Sequence, residues 1–132
     1  MRSIFHLSFP VRDLDEAVDF YVAKLRAVAG RREERWADLA LFGAQITLHH
    51  APSDVTVPMP RTRHFGVTLS WSDRHELTEG LADFVEHPTV SHHGSEREQA
   101  KALVSDPSGN LIEIKAYRQP EAVLPGLAAH AS

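Results

Sequence analysis

Apolar and polar residues alternate from Ile4 to Phe9, which predicts a half-buried strand. Pro10, Val11 and Arg12 interrupt the alternation, and Asp13 with Glu16 three residues later forms a helix-start signature. Leu14, Ala17, Val18, Tyr21, Val22 and Leu25 then recur at helical spacing, with Gly30 as the expected end of that unit. Two further strands are predicted at residues 34–42 and 45–50, with Gly43 and Ala44 as the turn between them.

The same order returns in the second half. His64 to Trp71 alternates as a strand, Asp73 and Glu76 repeat the cap signature, and Leu77, Leu81, Phe84 and Val85 mark a helix that Pro88 ends. A short segment near Val90, a strand over 100–105, a turn at Asp106–Gly109 and a strand over 110–117 complete it. The chain reads as a single domain of two βαβββ modules, about 1–50 and 64–117. A linker at 51–63 joins them, and an Ala- and Pro-rich tail follows at 118–132. The expected class is α+β, a cupped mixed β-sheet with the helices on its outer face.

Parity sorts each strand into two faces. Phe5, Leu7 and Phe9 oppose His6 and Ser8; Phe65, Val67, Leu69 and Trp71 oppose His64, Gly66, Thr68 and Ser70. In the last strand Ile112, Ile114 and Ala116 oppose Leu111, Glu113, Lys115 and Tyr117; in the fourth, Ile46 and Leu48 oppose Gln45, Thr47 and His49. Residues able to bind ligands fall on the face away from the apolar side every time.

Composition narrows the chemistry. The 132 residues, 42% hydrophobic, suffice for one domain core, and no apolar run approaches the roughly 20 residues of a membrane helix. The opening residues carry no signal-peptide pattern, so the expected location is cytoplasmic. Fourteen Lys and Arg against 18 Asp and Glu give a net charge of -4, which argues against nucleic-acid or membrane partners. With no cysteine, disulfides, zinc-thiolate sites and cysteine nucleophiles are excluded, so any metal sits on His, Asp or Glu. Nine histidines make that a live option.

If the apolar faces pack under the helices, the opposite faces form a polar cup on which His6, His64 and Glu113 can converge. Two imidazoles and a carboxylate are the set that holds a divalent iron with open positions for substrate and oxygen, and Mn, Ni or Zn fit the same donors.

The opening HLSFPVRDLDEAVDFYVAKL, the strand FGAQITLHH, the segment HFGVTL and the ending DPSGNLIEIKAY together resemble the vicinal oxygen chelate superfamily. This is the glyoxalase, bleomycin-resistance and extradiol-dioxygenase group. The resemblance covers nearly the whole chain to Tyr117. It implies paired βαβββ modules, usually in a homodimer, and it implicates His6, His64 and Glu113 as ligands of one divalent metal ion, iron first.

Aligning the halves by Gly43 and Gly109 sets Thr47 opposite Glu113, where glyoxalase I enzymes generally carry Glu or Gln. The three-ligand dioxygenase pattern is intact. His49 is then the candidate for proton transfer, and Thr47, Lys115 and Tyr117 are candidates for substrate binding on the cup face. The expected function is a metal-dependent enzyme binding a small molecule through vicinal oxygens, with extradiol-like dioxygenase chemistry. A glyoxalase-type lyase or isomerase and a metal-independent drug-binding protein of the bleomycin-resistance kind are the alternatives. His92 and His93 are expected in a loop flanking the cup entrance.

Overall fold

The computed structural model describes residues 1–130 and divides them into two compact units. Unit 1 comprises Met1–Pro60 and the turn Asp106–Asn110; unit 2 comprises Arg61–Ser105 and the chain from Leu111 onward. Each contains a four-stranded mixed sheet with a helix, the α+β class expected.

Unit 1 runs β1 (His6–Val11), α1 (Leu14–Leu25), β2 (Val28–Arg32), β3 (Trp36–Leu41) and β4 (Ala44–His50). The strands lie in the order β1-β4-β3-β2, with β1 parallel to β4 and the other pairs antiparallel. The first strand starts and ends two residues later than the alternation predicts. Ile4 and Phe5 precede it and are 73% and 70% exposed, and it continues through Pro10. A proline is tolerated there because β1 is an edge strand, where a missing N–H need not break a ladder.

Asp13 caps α1 as expected, accepting the Glu16 N–H at 2.8 Å, while the Glu16 carboxylate takes the Arg12 guanidinium. Leu14, Ala17, Tyr21 and Leu25 are buried, but Val22 is 41% exposed and faces solvent. The helix stops at Leu25 because Arg26 turns left-handed, φ 63°. Gly30 is not its end; it lies inside β2, a strand the alternation missed because all five of its residues are exposed on an edge. Phe42 and Gly43, both at positive φ, make the β3–β4 turn, one residue earlier than predicted.

Unit 2 runs β5 (Phe65–Leu69), α2 (Trp71–Glu79), β6 (Phe84–Ser91), β7 (Gln99–Ser105) and β8 (Leu111–Tyr117), in the order β5-β8-β7-β6. Ser70, not Asp73, caps α2: its hydroxyl accepts the Asp73 N–H at 3.2 Å, which draws Trp71 into the helix. The predicted helix through Val85 ends at Glu79. Phe84, Val85 and Pro88 belong to β6, where the pairing with β7 shifts register on both sides of Glu86. Pro88 is again an edge-strand proline. The expected tail carries a short helix, α3 (Pro120–Val123), and a 3₁₀ turn at Ala128–His130; its last two positions, 131 and 132, lie outside the described residues.

The inward faces form the cores. Leu39, Ile46 and Leu48 lie with Tyr21 and Leu25 in unit 1; Ile112, Ile114 and Ala116 lie with Leu77 and Ala102 in unit 2. Each fully buried Leu or Ile contributes about 1.5–3 kcal/mol relative to exposure. The turn Asp106–Asn110 joins unit 1 through polar bonds. The Asp106 carboxylate accepts the Tyr21 hydroxyl at 2.7 Å, the Ser108 and Asn110 N–H groups at 2.8 and 3.0 Å, and the Asn110 amide at 2.9 Å. Ser108 Oγ accepts the Arg12 N–H at 2.9 Å, and the Asn110 amide also donates to the Pro10 carbonyl at 3.2 Å.

Candidate metal centre

Strand register explains which residues share a face. In β5–β8, Gly66 pairs with Glu113 and Thr68 with Lys115; in β1–β4, Ser8 pairs with Thr47 and Pro10 with His49. Ser8 lies two residues beyond His6 and Gly66 two beyond His64, so the repeat is preserved in the pairing itself. Thr47 is the counterpart of Glu113.

In unit 2 a cleft of about 240 Å³ is lined by His64, Phe65, Gly66, Val67, Thr68, Glu113 and Lys115. His64 stands just before β5, and its Nδ1 lies 2.7 Å from the Arg61 carbonyl. A carbonyl only accepts, so Nδ1 carries a proton, and in the neutral form of the ring the lone pair is on Nε2. That Nε2 lies 3.7 Å from Glu113 Oε2. The gap exceeds a hydrogen bond, yet two atoms each about 2.0–2.2 Å from one ion can stand that far apart. A ring nitrogen anchored to a carbonyl, with its other nitrogen beside a carboxylate, supplies two donors of the kind that bind divalent ions.

The other Glu113 oxygen faces Lys115, with Oε1 and Nζ 3.5 Å apart, and Nζ sits 5.6 Å from the centre of the Tyr117 ring. Burial works to lower the Lys115 pKa, but its hydrogen bonds and electrostatic interactions with Tyr117 and the Glu113 carboxylate outweigh it, and the net shift is upward. Lys115 is therefore a fixed cation at neutral pH.

Unit 1 repeats the imidazole. His6 Nδ1 lies 3.2 Å from the Gln45 carbonyl, again leaving Nε2 with its lone pair. Thr47 is buried and its hydroxyl donates to Asp38 Oδ1 at 2.7 Å. Asp38 Oδ2 also accepts Arg31 Nε at 2.8 Å, and the Arg31 guanidinium lies 4.9 Å from the centre of the Trp36 ring. The Thr47 bond above all, then Arg31 and Gln45, hold the Asp38 carboxyl below its usual pKa against the opposing effect of burial. His49 is exposed at the end of β4, paired across the sheet with Trp36 and Pro10.

The structure thus brings together His64, Glu113 and Lys115, with Tyr117 beside Lys115, all in unit 2. His6, Thr47 and His49 belong to unit 1, and among the described residues no group of three or more His, Cys, Asp or Glu side chains assembles. Sequence reasoning missed Asp38, although a carboxylate inside Trp-Ala-Asp-Leu-Ala-Leu was a visible signal. It also missed the Arg61 carbonyl, which has no side-chain signature.

Comparison with known proteins adds to this geometry. The family described as the Glyoxalase/Bleomycin resistance protein/Dioxygenase superfamily matches residues 3–114. The chain is 30% identical over 120 residues to the catechol-2,3-dioxygenase of Bacillus subtilis (strain 168); this covers 87% of the chain but only 41% of that relative. A glyoxalase/bleomycin resistance protein/dioxygenase from Alicyclobacillus acidocaldarius superposes with a TM-score of 0.75 at 36% identity, over 87% of this chain and 91% of that one. The genomically encoded fosfomycin resistance protein of Listeria monocytogenes shares the fold with a TM-score of 0.69 at 16% identity, over 88% and 93% of the two chains.

Proposed function

Because the chain belongs to the Glyoxalase/Bleomycin resistance protein/Dioxygenase superfamily, we propose that it is a divalent-metal-dependent enzyme whose small-molecule substrate binds through two neighbouring oxygens, with dioxygenase-type chemistry. The observation that carries this is the His64–Glu113 pair: Nε2 keeps its lone pair because Nδ1 is held by the Arg61 carbonyl, and a carboxylate oxygen stands 3.7 Å away. The catechol-2,3-dioxygenase relative supports the choice of reaction class.

In this proposal His6 is the third ligand candidate, as the repeat counterpart of His64 whose Nδ1 faces a carbonyl in the same way. Homodimerisation is the expected assembly. Iron(II) suits two imidazoles and one carboxylate, and Mn, Ni and Zn bind the same donors. Such an ion, when bound, polarises a substrate oxygen and lowers the pKa of its hydroxyl. Lys115 holds a positive charge beside Glu113 and attracts the ionised form of a substrate oxygen, while Tyr117 offers its ring and hydroxyl one alternation further along β8. The Thr47 hydroxyl donates its hydrogen bond to Asp38 and has only its oxygen lone pairs left to offer substrate. His49, exposed in unit 1, is assigned to proton transfer.

Oxygen uptake by protein loaded with Fe(II) and offered a panel of catechols tests the reading. Uptake that requires both metal and catechol and disappears in Glu113→Ala is expected. Isomerisation of a hemithioacetal with Ni(II) or Zn(II), without oxygen uptake, contradicts the dioxygenase assignment.

A further inference from the structure

A second cleft, of about 160 Å³, opens in unit 2 and is lined by His92, Arg97, Gln99, Tyr117 and Val123. It lies further along β8 on the face that carries Glu113. Glu113, Lys115 and Tyr117 alternate on that face; Lys115 lines the first cleft, Tyr117 lines the second, and Gln99 pairs with Tyr117 across β7–β8. At about 3.3 Å per residue, the four-residue step from Glu113 to Tyr117 spans about 13 Å.

The chemistry of the second cleft is one-sided, because no acidic side chain lines it. Of the two loop carboxylates that flank Arg97 in sequence, Glu96 and Glu98, Glu98 is already engaged: it accepts the Gly94 N–H at 3.1 Å and lies 3.6 Å from Arg118 Nε. Arg97 has no ion pair among the described residues. Lys101 pairs directly with Lys115 and adds positive charge to the same face. The loop is also held in place before any ligand arrives. The Ser95 hydroxyl donates to the His92 carbonyl at 2.8 Å, and the Arg97 N–H donates to Ser95 Oγ at 3.1 Å.

We propose that this cleft binds an oxyanion, a carboxylate or phosphate, carried at the far end of the substrate whose neighbouring oxygens face His64 and Glu113. Arg97 supplies the charge-assisted bonds, with the Gln99 amide and Tyr117 hydroxyl as neutral donors. The substrate class is then a two-ended molecule, vicinal oxygens at one end and an anion roughly 10–14 Å away. That substrate assignment rests on the proposed metal reading, whereas the anion cleft does not.

The test is a titration of the ¹⁵N-labelled full chain, with chelator present, by inorganic phosphate, by acetate and by neutral acetamide. Saturable amide shifts confined to residues 92–99 and Tyr117 are expected with one or both anions and not with acetamide. The tighter anion identifies the group. Arg97→Met weakens that binding at least about tenfold while leaving the rest of the spectrum in place. Shifts that do not saturate, that acetamide reproduces, or that Arg97→Met leaves unchanged overturn the proposal. The titration is run metal-free and metal uptake is read separately on protein without chelator, so the two failures are distinguishable: metal uptake without anion shifts removes only this cleft, and anion shifts without metal uptake remove only the metal site.

Discussion

A side chain at Gly66 would collide with the backbone of Glu113: an added Cβ stands 2.7 Å from its carbonyl carbon and 2.9 Å from its nitrogen. The two residues are register partners, so the parallel strand that carries the carboxylate lies against a position with no side chain. Gly66→Ala therefore has to move Glu113. The expected cost is about 1–3 kcal/mol in chemical denaturation. A fall in metal affinity of about tenfold or more accompanies it, as when a residue supporting a ligand is lost. Unchanged affinity in isothermal titration with the metal would show that Glu113 is not held by this contact.

Tyr21 and Asp106 join residues far apart in sequence into one unit, and the bond is buried. Tyr21→Phe removes a hydrogen bond to a charged acceptor, and a loss of about 1.5–3 kcal/mol in urea unfolding is expected. Asp106→Ala removes the acceptor of four hydrogen bonds at once and is expected to cost more. Equal stability of Tyr21→Phe and wild type would mean that the turn is held by its other bonds.

These bonds also account for what the sequence made legible. The turn at Asp106–Gly109 was legible because Asp106, Ser108 and Asn110 each make bonds that few other residue types can replace. The Ile46, Leu48, Ile112 and Ile114 faces were legible because alternation and burial coincide there. Val28–Arg32 was not, since an exposed edge strand leaves no pattern, and Phe84–Val85 mimicked a continuing helix until the β6 pairing claimed them. The site was half legible. His64 and Glu113 come together as parity implied, but the carboxylate of unit 1 sits on β3 as Asp38, across from Thr47, where repeat alignment did not look.

Two pKa shifts predict how stability varies with pH. Asp38 is lowered in the folded state, so its contribution is present above the unfolded value of about 3.9 and is lost as pH falls below it through the folded value. Tyr21 is raised well above its usual value by burial, then by the charge and hydrogen bond of Asp106. Its contribution is complete below about pH 10 and declines above that, where only the unfolded phenol ionises. Asp38→Asn should flatten the acid limb of the stability profile and Tyr21→Phe the alkaline limb. Profiles parallel to wild type would contradict the assignment.

Arg74 occupies a core-facing position of α2 with its Nε lacking a hydrogen-bond partner among the described residues, and Arg118 shares the Trp71 ring with it at 3.8 Å against its own 5.0 Å. Burial, then the Arg118 charge, lowers the Arg74 pKa, the sign of a cation held at a cost. Arg74→Met keeps the volume and removes the charge. A gain of about 1 kcal/mol, roughly 3–5 °C in Tm, is expected by calorimetry. A lower Tm would show that the stacking on Trp71 outweighs the buried charge.

The proposed function depends on a metal held by His64, Glu113 and His6, and elemental analysis of protein purified without chelator addresses that most directly. The expected result is about one divalent ion per chain in wild type, lost in His6→Ala, His64→Ala and Glu113→Ala alike, as a three-ligand site requires. Wild-type protein that stays empty after incubation with iron, manganese, nickel and zinc in turn would contradict it.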